Sequence, residues 1–486
     1  MAKKVTIEPV TRVEGHGKVT IHLDDNNQVA QSRLHIVEFR GFERFVQGRP
    51  YWEAPVLVQR LCGICPVSHH LAAAKALDVI VGAGTGDGLT PTGEKMRRLM
   101  HYGQTFQSHV LHFFHLASPD LLFGIDGDPA LRNVIGIALE HKELAVQAVM
   151  MRKFGQEIIK ATAGKKVHGT GAIPGGINKH LTQEEKEQFL NGPDPLNVDK
   201  MIEWSLGALE FFKGYHAANK DLIDKFAAFP SSHVSLVRKD GALDLYHGVL
   251  RGIDNDGKKI LNDVDYQDYL EYIDEEVKSW SYMKFPYLRS IGKKDGWYRV
   301  GPLARMNTVD FIPTPLAQKE FEIFQAYTGG KPNGMSMHMH WARLIEILHS
   351  AEMMKELIND PDLYSGDLTV KGTKQKEGVG LLEAPRGTLF HHYRINDDDQ
   401  IEMANLIVST TNNNTPMNTA VNLAAKQFMN GQTEITEPMM NAVEVAIRAY
   451  DPCLSCATHA LGKMPMDFKI VDKNGKVINQ KFKNGE

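Results

Sequence analysis

The four cysteines of the chain occur as two Cys-x-x-Cys pairs, Cys62 with Cys65 and Cys453 with Cys456. Two thiols at this spacing can bind one metal ion, and Gly63 permits a tight turn between the first two. Thiolates select soft or borderline metals, such as zinc, nickel, copper(I) or the iron of an iron–sulfur cluster. The sequence therefore indicates that the four cysteines are metal ligands or redox dithiols.

Three kinds of site are compatible with these thiols: a closed structural zinc site, a [4Fe–4S] cluster and a catalytic metal centre. Zinc ribbons usually place their two pairs about 15–20 residues apart. Here the pairs lie near opposite ends of the chain. This separation is unusual for a local structural zinc site and favours a reactive centre buried in a large body.

Charged residues and histidines accompany both pairs. Arg60 and Asp451 precede them, and His69 and His459 follow them, where an imidazole can hydrogen-bond a thiolate or hold a neighbouring ion. Three more compact charged motifs are Arg12-Val13-Glu14-Gly15-His16, Arg40-Gly41-Phe42-Glu43 and Glu383-Ala384-Pro385-Arg386-Gly387. Singly, each is typical of a salt bridge or a turn, because buried charge is costly unless it is paired or ligating.

The elements that must position these residues are mostly helices. Two apolar runs, Val19–Leu23 and Gln31–Phe39, flank a polar turn and predict a hairpin, and further hairpins are predicted around Asp254–Gly257 and Asp472–Gly475. Apolar residues at helical spacing predict helices over Val56–Val81, Thr92–Leu116, Ala130–Ile159, Asp199–Phe226, Tyr266–Lys284, Pro315–Tyr327, His340–Ile358, Pro416–Phe428 and Glu437–Tyr450. We therefore expect an α+β fold that is predominantly α, with a long-helix bundle and small β hairpins near both termini. We expect residues 1–459 to form one compact body, with a β-rich part over 1–50 and a mainly helical part over 51–459.

Composition excludes several classes of protein. The 486 residues are 42% hydrophobic and 23% charged, which is ordinary globular composition and argues against disorder. The net charge of -4 shows no basic excess, so we expect no nucleic-acid partner. No run of about 18 apolar residues occurs, so we expect no membrane partner. The start, MAKKVTIEPV, has no apolar signal core, which predicts a cytoplasmic location.

Taken together, the motifs resemble those of the large, catalytic subunit of [NiFe] hydrogenases. R-x-C-G-x-C-x-x-x-H begins at Arg60 and D-P-C-x-x-C-x-x-H begins at Asp451, and both family signatures are intact. R-V-E-G-H, R-G-x-E and E-A-P-R-G match further motifs of the family, and His168–Gly176 resembles its His-Pro…Gly-Gly loop with Gly169 in place of proline. The likeness covers essentially the whole chain and is greatest to the soluble, NAD-reducing bidirectional type. It implies the large-subunit fold and the splitting or formation of H2.

The resemblance implies a role for each matching cysteine. Cys62 and Cys453 would be terminal thiolates of nickel, and Cys65 and Cys456 would bridge nickel to iron in a Ni–Fe(CO)(CN)2 centre. His69 would hydrogen-bond a bridging sulfur.

The resemblance also implies roles for charged residues around this centre. Glu14 would be the first proton relay, and Arg386 and Asp451 would form a canopy over the open nickel position. Hydrogen would be cleaved heterolytically, with Cys453 or a group around Arg386 taking the proton. Better-known members carry a second canopy aspartate where this chain has Ser108, so a two-acid canopy is in doubt here.

A magnesium ion would be held by Glu43 and His459, with a backbone carbonyl near Asn405–Leu406 as a further ligand. Magnesium prefers oxygen ligands, so the histidine nitrogen is unusual. The glycine-rich segment Gly82–Gly88 ends a helical pattern, unlike a dinucleotide fingerprint, which opens a helix. With no further cysteine, we expect no iron–sulfur cluster, flavin or NAD site in this chain.

Electrons would then leave through partners. The resemblance implies two of them: a small iron–sulfur subunit, and then a flavin-containing diaphorase that meets NAD. It also implies maturation: nickel-insertion proteins load the site, and a protease cuts between His459 and Ala460, which removes residues 460–486. The sequence therefore predicts an unprocessed precursor.

Alternative functions remain open at this point. Another acceptor, such as a deazaflavin or ferredoxin, would leave the enzyme class unchanged. A non-enzymatic protein with a four-cysteine zinc site would bind zinc alone. The related quinone-site subunit of respiratory complex I is disfavoured because it lacks the cysteine pairs.

Overall fold

The computed structural model describes residues 3–83, 88–458, 466–471 and 477–483. Its α-helices are α1 (Phe42–Phe45), α2 (Ala54–Leu57), α3 (Pro66–Ile80), α4 (Pro91–Leu111), α5 (Ser118–Phe123), α6 (Val134–Glu140), α7 (Lys142–Ala163), α8 (Gln183–Asn191), α9 (Val198–Ala218), α10 (Lys220–Lys225), α11 (Tyr269–Tyr272), α12 (Pro302–Thr308), α13 (Pro315–Tyr327), α14 (His338–Asn359), α15 (Ser409–Asn412), α16 (Asn414–Met429) and α17 (Glu437–Ala449). Its strands are β1 (Lys3–Ile7), β2 (Gly17–Leu23), β3 (Val29–Ile36), β4 (Ala172–Ile173), β5 (Gly176–Ile177), β6 (Ser232–Val237), β7 (Val249–Ile253), β8 (Lys259–Val264), β9 (Ile273–Glu276), β10 (Phe285–Leu288), β11 (Tyr298–Arg299), β12 (Glu377–Ala384), β13 (Gly387–Ile395), β14 (Ile401–Ile407), β15 (Met466–Val471) and β16 (Val477–Lys483).

Long helices form the centre of the molecule, as predicted. Helix α4 packs against α7 and α14, and α14 packs against α9. Thr90 caps α4 by accepting a hydrogen bond from the backbone N–H of Gly93, and Pro91 provides the preorganised first turn. Helix α14 is buried over most of its length, because neighbours cover it on several sides. None of the helices in the described ranges is long and apolar enough to cross a membrane.

Small sheets pack against several of the helices. Strands β1, β2 and β3 form an antiparallel sheet that contains the first predicted hairpin, and β7 with β8 form the second. Strands β15 and β16 pair antiparallel, and the turn predicted between them at 472–475 lies outside the described residues. Strand β11 joins β6, β7 and β8 in a second sheet, where it runs parallel to β6. Strands β12, β13 and β14 form a third, antiparallel sheet.

Helix α3 rests directly on strand β12, and this contact positions the first cysteine pair. A Cβ atom at Gly380 would lie 2.1 Å from the backbone oxygen of Ala72, so only glycine allows the approach. Gly380 is the cross-strand neighbour of His391 on β13. The first turns of α3 therefore lie next to the middle of β13.

Some predicted elements differ from the structure. The helix predicted over 266–284 is wrong: this segment contains one short helical stretch and then β9, which pairs with β10. The segment 130–159 holds two helices, α6 and α7, instead of one. Apart from the hairpin of β7 and β8, the strands within 232–299 and 377–407 were not predicted. Strands β6, β12 and β13 are buried on both faces and lack an alternating pattern. Residues 84–87 of the glycine-rich segment lie outside the described residues.

Candidate metal centre

Short loops carry the four cysteines into the main hydrophobic core. Cys62 follows a helical turn at Val58–Leu61, and Cys65 is the residue from which α3 begins, with Pro66 in its first turn. Cys453 and Cys456 follow α17, after a sharp turn at Asp451, whose φ of 52° is left-handed. Aspartate tolerates this conformation better than most residues do.

The structure brings all four sulfurs together. The Sγ atoms of Cys62 and Cys453 are 3.3 Å apart, those of Cys65 and Cys456 are 3.8 Å apart, and those of Cys453 and Cys456 are 2.8 Å apart. All four lie within 4.8 Å of one another, and all four cysteines are buried. These separations exceed the length of a disulfide bond, about 2.05 Å. They suit sulfurs that share one metal ion or a pair of ions.

Three of these thiols have shifted pKa values. Hydrogen bonds from Cys453, Cys456 and Cys62 lower the pKa of Cys65 well below its usual value, and His69 contributes a further hydrogen bond. Burial raises the pKa values of Cys453 and Cys456 well above the usual range. A bound metal cation would replace the remaining protons, because only thiolates act as ligands.

A small cavity opens on one side of the sulfurs. Its volume is about 10 Å³, about the least that holds one water molecule. Its wall combines sulfur, apolar and polar groups from Cys65, Ser68, His69, Ala384, Pro385, Arg386, Leu389, Val408, Ser409, Thr410, Cys453 and Cys456. A structural zinc site is closed, whereas catalytic sites keep an open position. The cavity therefore favours the catalytic interpretation.

Glu14 contacts the second cysteine pair. Its Oε2 atom lies 2.9 Å from Cys453 Sγ and accepts a hydrogen bond of 3.2 Å from the backbone N–H of Ser455, whose hydroxyl donates to Oε1. Gly15 makes this approach possible, because its φ is +82° and a Cβ atom there would lie 2.6 Å from Ser455 N. Arg12 anchors the same loop through a salt bridge to Asp120.

Arg386 and Asp451 form a buried pair beside the sulfurs. Arg386 donates from Nε to the backbone oxygen of Asp451 at 2.6 Å and from Nη2 to its Oδ1 at 3.0 Å. Burial lowers the pKa of Arg386, but the charges of Asp451 and of the cysteines hold it well above its usual value. Burial raises the pKa of Asp451, although the charges of Arg386 and Arg343 lower it in part. Arg386 Nη1 and Asp451 Oδ2 are buried and have no hydrogen-bond partner among the described residues.

His69 lies on α3 and links the sulfurs to strand β13. Its ring hydrogen-bonds Cys65, and its Nδ1 lies 3.1 Å from Nε2 of His391. Nδ1 of His391 lies 2.7 Å from the hydroxyl of Tyr393. His391 and Tyr393 were not predicted from the sequence, because their two-residue spacing has meaning only once the strand is known.

Glu43 lies apart from the sulfurs, on α1, beside strand β14. Its Oε1 accepts a hydrogen bond of 2.9 Å from the backbone N–H of Leu406, the residue near which a magnesium ligand was expected. Burial raises the pKa of Glu43 to about 7, although the charge of Lys284 opposes this. His459, the other expected ligand, lies outside the described residues, as does the predicted cleavage point before Ala460.

Two further residues at the site were not predicted. Thr410 Oγ1 accepts a hydrogen bond of 3.0 Å from the backbone N–H of Cys453, and Arg343 donates to the backbone oxygen of Ala449 at 3.0 Å. Neither has a motif that marks it in the sequence. Ser108, where the second canopy acid was expected to be missing, is buried, and its hydroxyl has no hydrogen-bond partner within the described ranges.

Two family models match the chain. One, described as nickel-dependent hydrogenase, matches residues 40–125 and 235–459, and one described as HoxL-like matches residues 4–39. The chain therefore belongs to the nickel-dependent hydrogenase family. Its helical fold with small sheets is the large-subunit fold of [NiFe] hydrogenases.

Relatives and solved structures agree with this family. The chain is 52% identical to NAD-reducing hydrogenase HoxS subunit beta of Cupriavidus necator, over 99% of this chain and 100% of that one. It is 40% identical to an F420-non-reducing hydrogenase subunit of Methanothermobacter thermautotrophicus, over 98% and 99% of the two chains. The crystal structure of an NAD+-reducing [NiFe]-hydrogenase in the H2-reduced state matches with a TM-score of 0.91 and 53% identity, over 94% of this chain and 99% of that one.

The residues present fit a nickel–iron group. Four thiols provide the soft ligand set that both metals accept. The cavity leaves one side of Cys65, Cys453 and Cys456 open, and the unpartnered Nη1 of Arg386 belongs to a residue that lines it. The site thus offers both ligands for the metals and a polar group for whatever else they bind.

Proposed function

We propose that this chain is the catalytic subunit of a [NiFe] hydrogenase that splits or forms H2 and exchanges electrons with NAD through partner subunits. The observation that carries the proposal is the assembly of four buried sulfurs within 4.8 Å of one another, beside a small cavity. Cys62, Cys65, Cys453 and Cys456 would hold the metals. When bound, the nickel–iron pair supplies a Lewis-acidic site for hydrogen.

The protein provides the proton route. Cys453 Sγ and Glu14 Oε2 are 2.9 Å apart, which is within range for direct proton transfer. Glu14 is only half-buried, so its carboxylate joins the buried sulfur to the outer part of the molecule. Ser455 donates two hydrogen bonds to the same carboxylate and thereby fixes its orientation.

Arg386 and Asp451 would form the canopy over the reacting position. Their mutual hydrogen bonds hold Arg386 rigidly, and its Nη1 has no partner in the described parts of the chain. A fixed cation beside the sulfurs stabilises negative charge without any reorganisation. With Ser108 in place of a second acid, this canopy contains one carboxylate.

Partner subunits would carry the electrons onward. The relative from Cupriavidus necator is named as one subunit of an NAD-reducing hydrogenase, which supports NAD as acceptor, reached through a flavin-containing diaphorase and a small iron–sulfur subunit. A deazaflavin or ferredoxin acceptor is the alternative, and the name of the Methanothermobacter relative argues against the deazaflavin F420.

The proposal also includes a magnesium site, the small ligands of iron, the cellular location and maturation. Glu43 would bind magnesium together with His459, the CO and cyanide ligands would be carried by iron, and the cytoplasm is the proposed location. Nickel-insertion proteins and a protease would act on the precursor, to leave one compact catalytic body over residues 1–459.

The test is elemental analysis of the protein purified from its native host with its partners. We expect nickel and iron together, and the loss of nickel when Cys62 or Cys453 is replaced by serine. H2-dependent reduction of NAD+ by the complex tests the acceptor. Zinc without nickel would refute the enzyme assignment and leave the structural zinc site as the explanation.

A further inference from the structure

A buried row of hydrogen-bonding groups extends from the sulfurs along β13. It runs from Cys65 through His69 and His391 to Tyr393, with 3.1 Å between the two imidazoles and 2.7 Å between His391 Nδ1 and the Tyr393 hydroxyl. His69, His391 and Tyr393 are all 1% exposed or less, so bulk water is not an alternative partner. Each donor in the row must therefore find an acceptor inside the protein.

Tyr393, at the far end of the row, determines the direction in which the hydrogen bonds are donated. Within the described ranges, the only hydrogen-bond partner of the Tyr393 hydroxyl is His391 Nδ1. A neutral phenol carries one proton, and a buried O–H without an acceptor is destabilising. Tyr393 stays neutral because burial, and next the charge of Glu43, raise its pKa. The hydroxyl therefore donates to Nδ1, and the proton of the His391 ring is on Nε2.

Cys65, at the near end of the row, requires the same direction of hydrogen-bond donation. A cysteine sulfur that binds a metal is a thiolate, which can accept a hydrogen bond but cannot donate one. His69 must then carry its proton on Nε2, and its Nδ1 accepts from Nε2–H of His391. The donors are ordered from Tyr393 through His391 and His69 to the sulfur, and both ends require this order.

We propose that Tyr393 and His391 are positioning residues that hold His69 in the Nε2–H tautomer, so that His69 always presents a donor to Cys65 Sγ. This inference rests on the proposed function, since Cys65 is there one of the metal ligands. A hydrogen bond to a ligating sulfur withdraws electron density from the metal, and such outer partners change metal affinity or activity about 10–100-fold. Gly380 makes the arrangement possible, because it lets α3 approach the strand at the residue opposite His391.

The tautomer can be measured without nickel. The full-length chain, produced without nickel and loaded with diamagnetic Zn²⁺, keeps its cysteines as thiolates, and 15N NMR of labelled histidine distinguishes protonated from unprotonated ring nitrogens. We expect a single Nε2–H form of His69, assigned by its loss in His69→Gln. In Tyr393→Phe we expect a mixture of both tautomers, because Nδ1 of His391 no longer receives a donor.

Tyr298→Phe is the matched control, since Tyr298 is equally buried and donates one hydrogen bond of 2.7 Å to Asn412. It removes a similar hydroxyl away from the row, and we expect no change at His69. Two substitutions of His391 provide a second test: glutamine can still donate to His69 Nδ1 and should preserve its tautomer, whereas leucine should not. Unchanged His69 signals in Tyr393→Phe, or equal changes in Tyr298→Phe, would overturn the proposal.

The loaded enzyme gives an independent result. We expect the infrared bands of the diatomic ligands on iron to move to lower wavenumber in Tyr393→Phe, because the sulfur then donates more electron density, and to stay in place in Tyr298→Phe. If the wild-type enzyme from its native host shows neither these infrared bands nor nickel, the proposed function is refuted. The zinc-loaded chain would still report the tautomer of His69 in that case. Bands that are present but unmoved in Tyr393→Phe would overturn the positioning role alone.

Discussion

Replacing Glu14 by glutamine tests the proton route with little disturbance of the fold. The carboxylate accepts hydrogen bonds from the backbone and side chain of Ser455 and contacts Cys453 Sγ at 2.9 Å. Glutamine has the same shape, and its amide oxygen can still accept from the Ser455 backbone while its amide nitrogen donates to the Ser455 hydroxyl. The charge-assisted bonds become neutral ones, so we expect the free energy of unfolding to fall by only about 1 kcal/mol.

The effect on turnover should be much larger, because an amide cannot take up and release a proton at neutral pH. General acid–base groups typically contribute about 10²–10⁴-fold to a rate. A 10²-fold loss corresponds to about 2.7 kcal/mol in the barrier. Glu14→Gln should therefore lose at least about 10²-fold in H2-dependent dye reduction, with its nickel and iron contents unchanged.

The control is Glu38→Gln, which removes a nearby carboxylate that pairs with the exposed His16 at the surface. We expect this variant to keep full activity. If Glu14→Gln retains more than half of the activity at normal metal content, protons leave by another route and the role assigned to Glu14 is wrong.

Three further predictions follow from buried charges. Arg386→Lys loses the two-point contact with Asp451, so activity should fall at least about 10-fold at unchanged nickel content. Arg305→Met leaves Glu346 without its cation, with both residues fully buried, and should lower the free energy of unfolding by about 3–5 kcal/mol in denaturant titrations. Burial lowers the pKa of Lys75 from 10.5 to about 7. Between these two pH values the unfolded chain binds more protons than the folded chain, so the free energy of unfolding rises with pH. Lys75→Met should reduce the slope of this rise by up to about 1.4 kcal/mol per pH unit.

Each of these has a result that contradicts it. Wild-type activity in Arg386→Lys would show that a point charge is sufficient at this position. An unfolding free energy in Arg305→Met within 1 kcal/mol of wild type, where a loss of about 3–5 kcal/mol is expected, would show that Glu346 is protonated or solvated once the arginine is removed. Parallel stability curves of Lys75→Met and wild type at alkaline pH would place the pKa of Lys75 near its ordinary value.

The sequence by itself determined the set of four paired cysteines and most of the long helices. The spacing of each cysteine pair is local, and the periods of α13, α14 and α16 are long enough to be unambiguous. The predicted helix over 266–284 failed for the opposite reason. Its apolar residues are satisfied by pairing of β9 with β10, and short apolar runs do not distinguish strand from helix.

Only the tertiary structure decided how distant segments meet. Cys62 and Cys453 are separated by 391 residues, yet their sulfurs lie 3.3 Å apart because α3 and the segment after α17 share one core. The contact of Glu14 with Cys453 depends on the missing side chain of Gly15, and that of His69 with His391 depends on Gly380. Local residue patterns encode period and ligand type, whereas contacts of this kind arise from the packing of whole elements, in which each position depends on all the others.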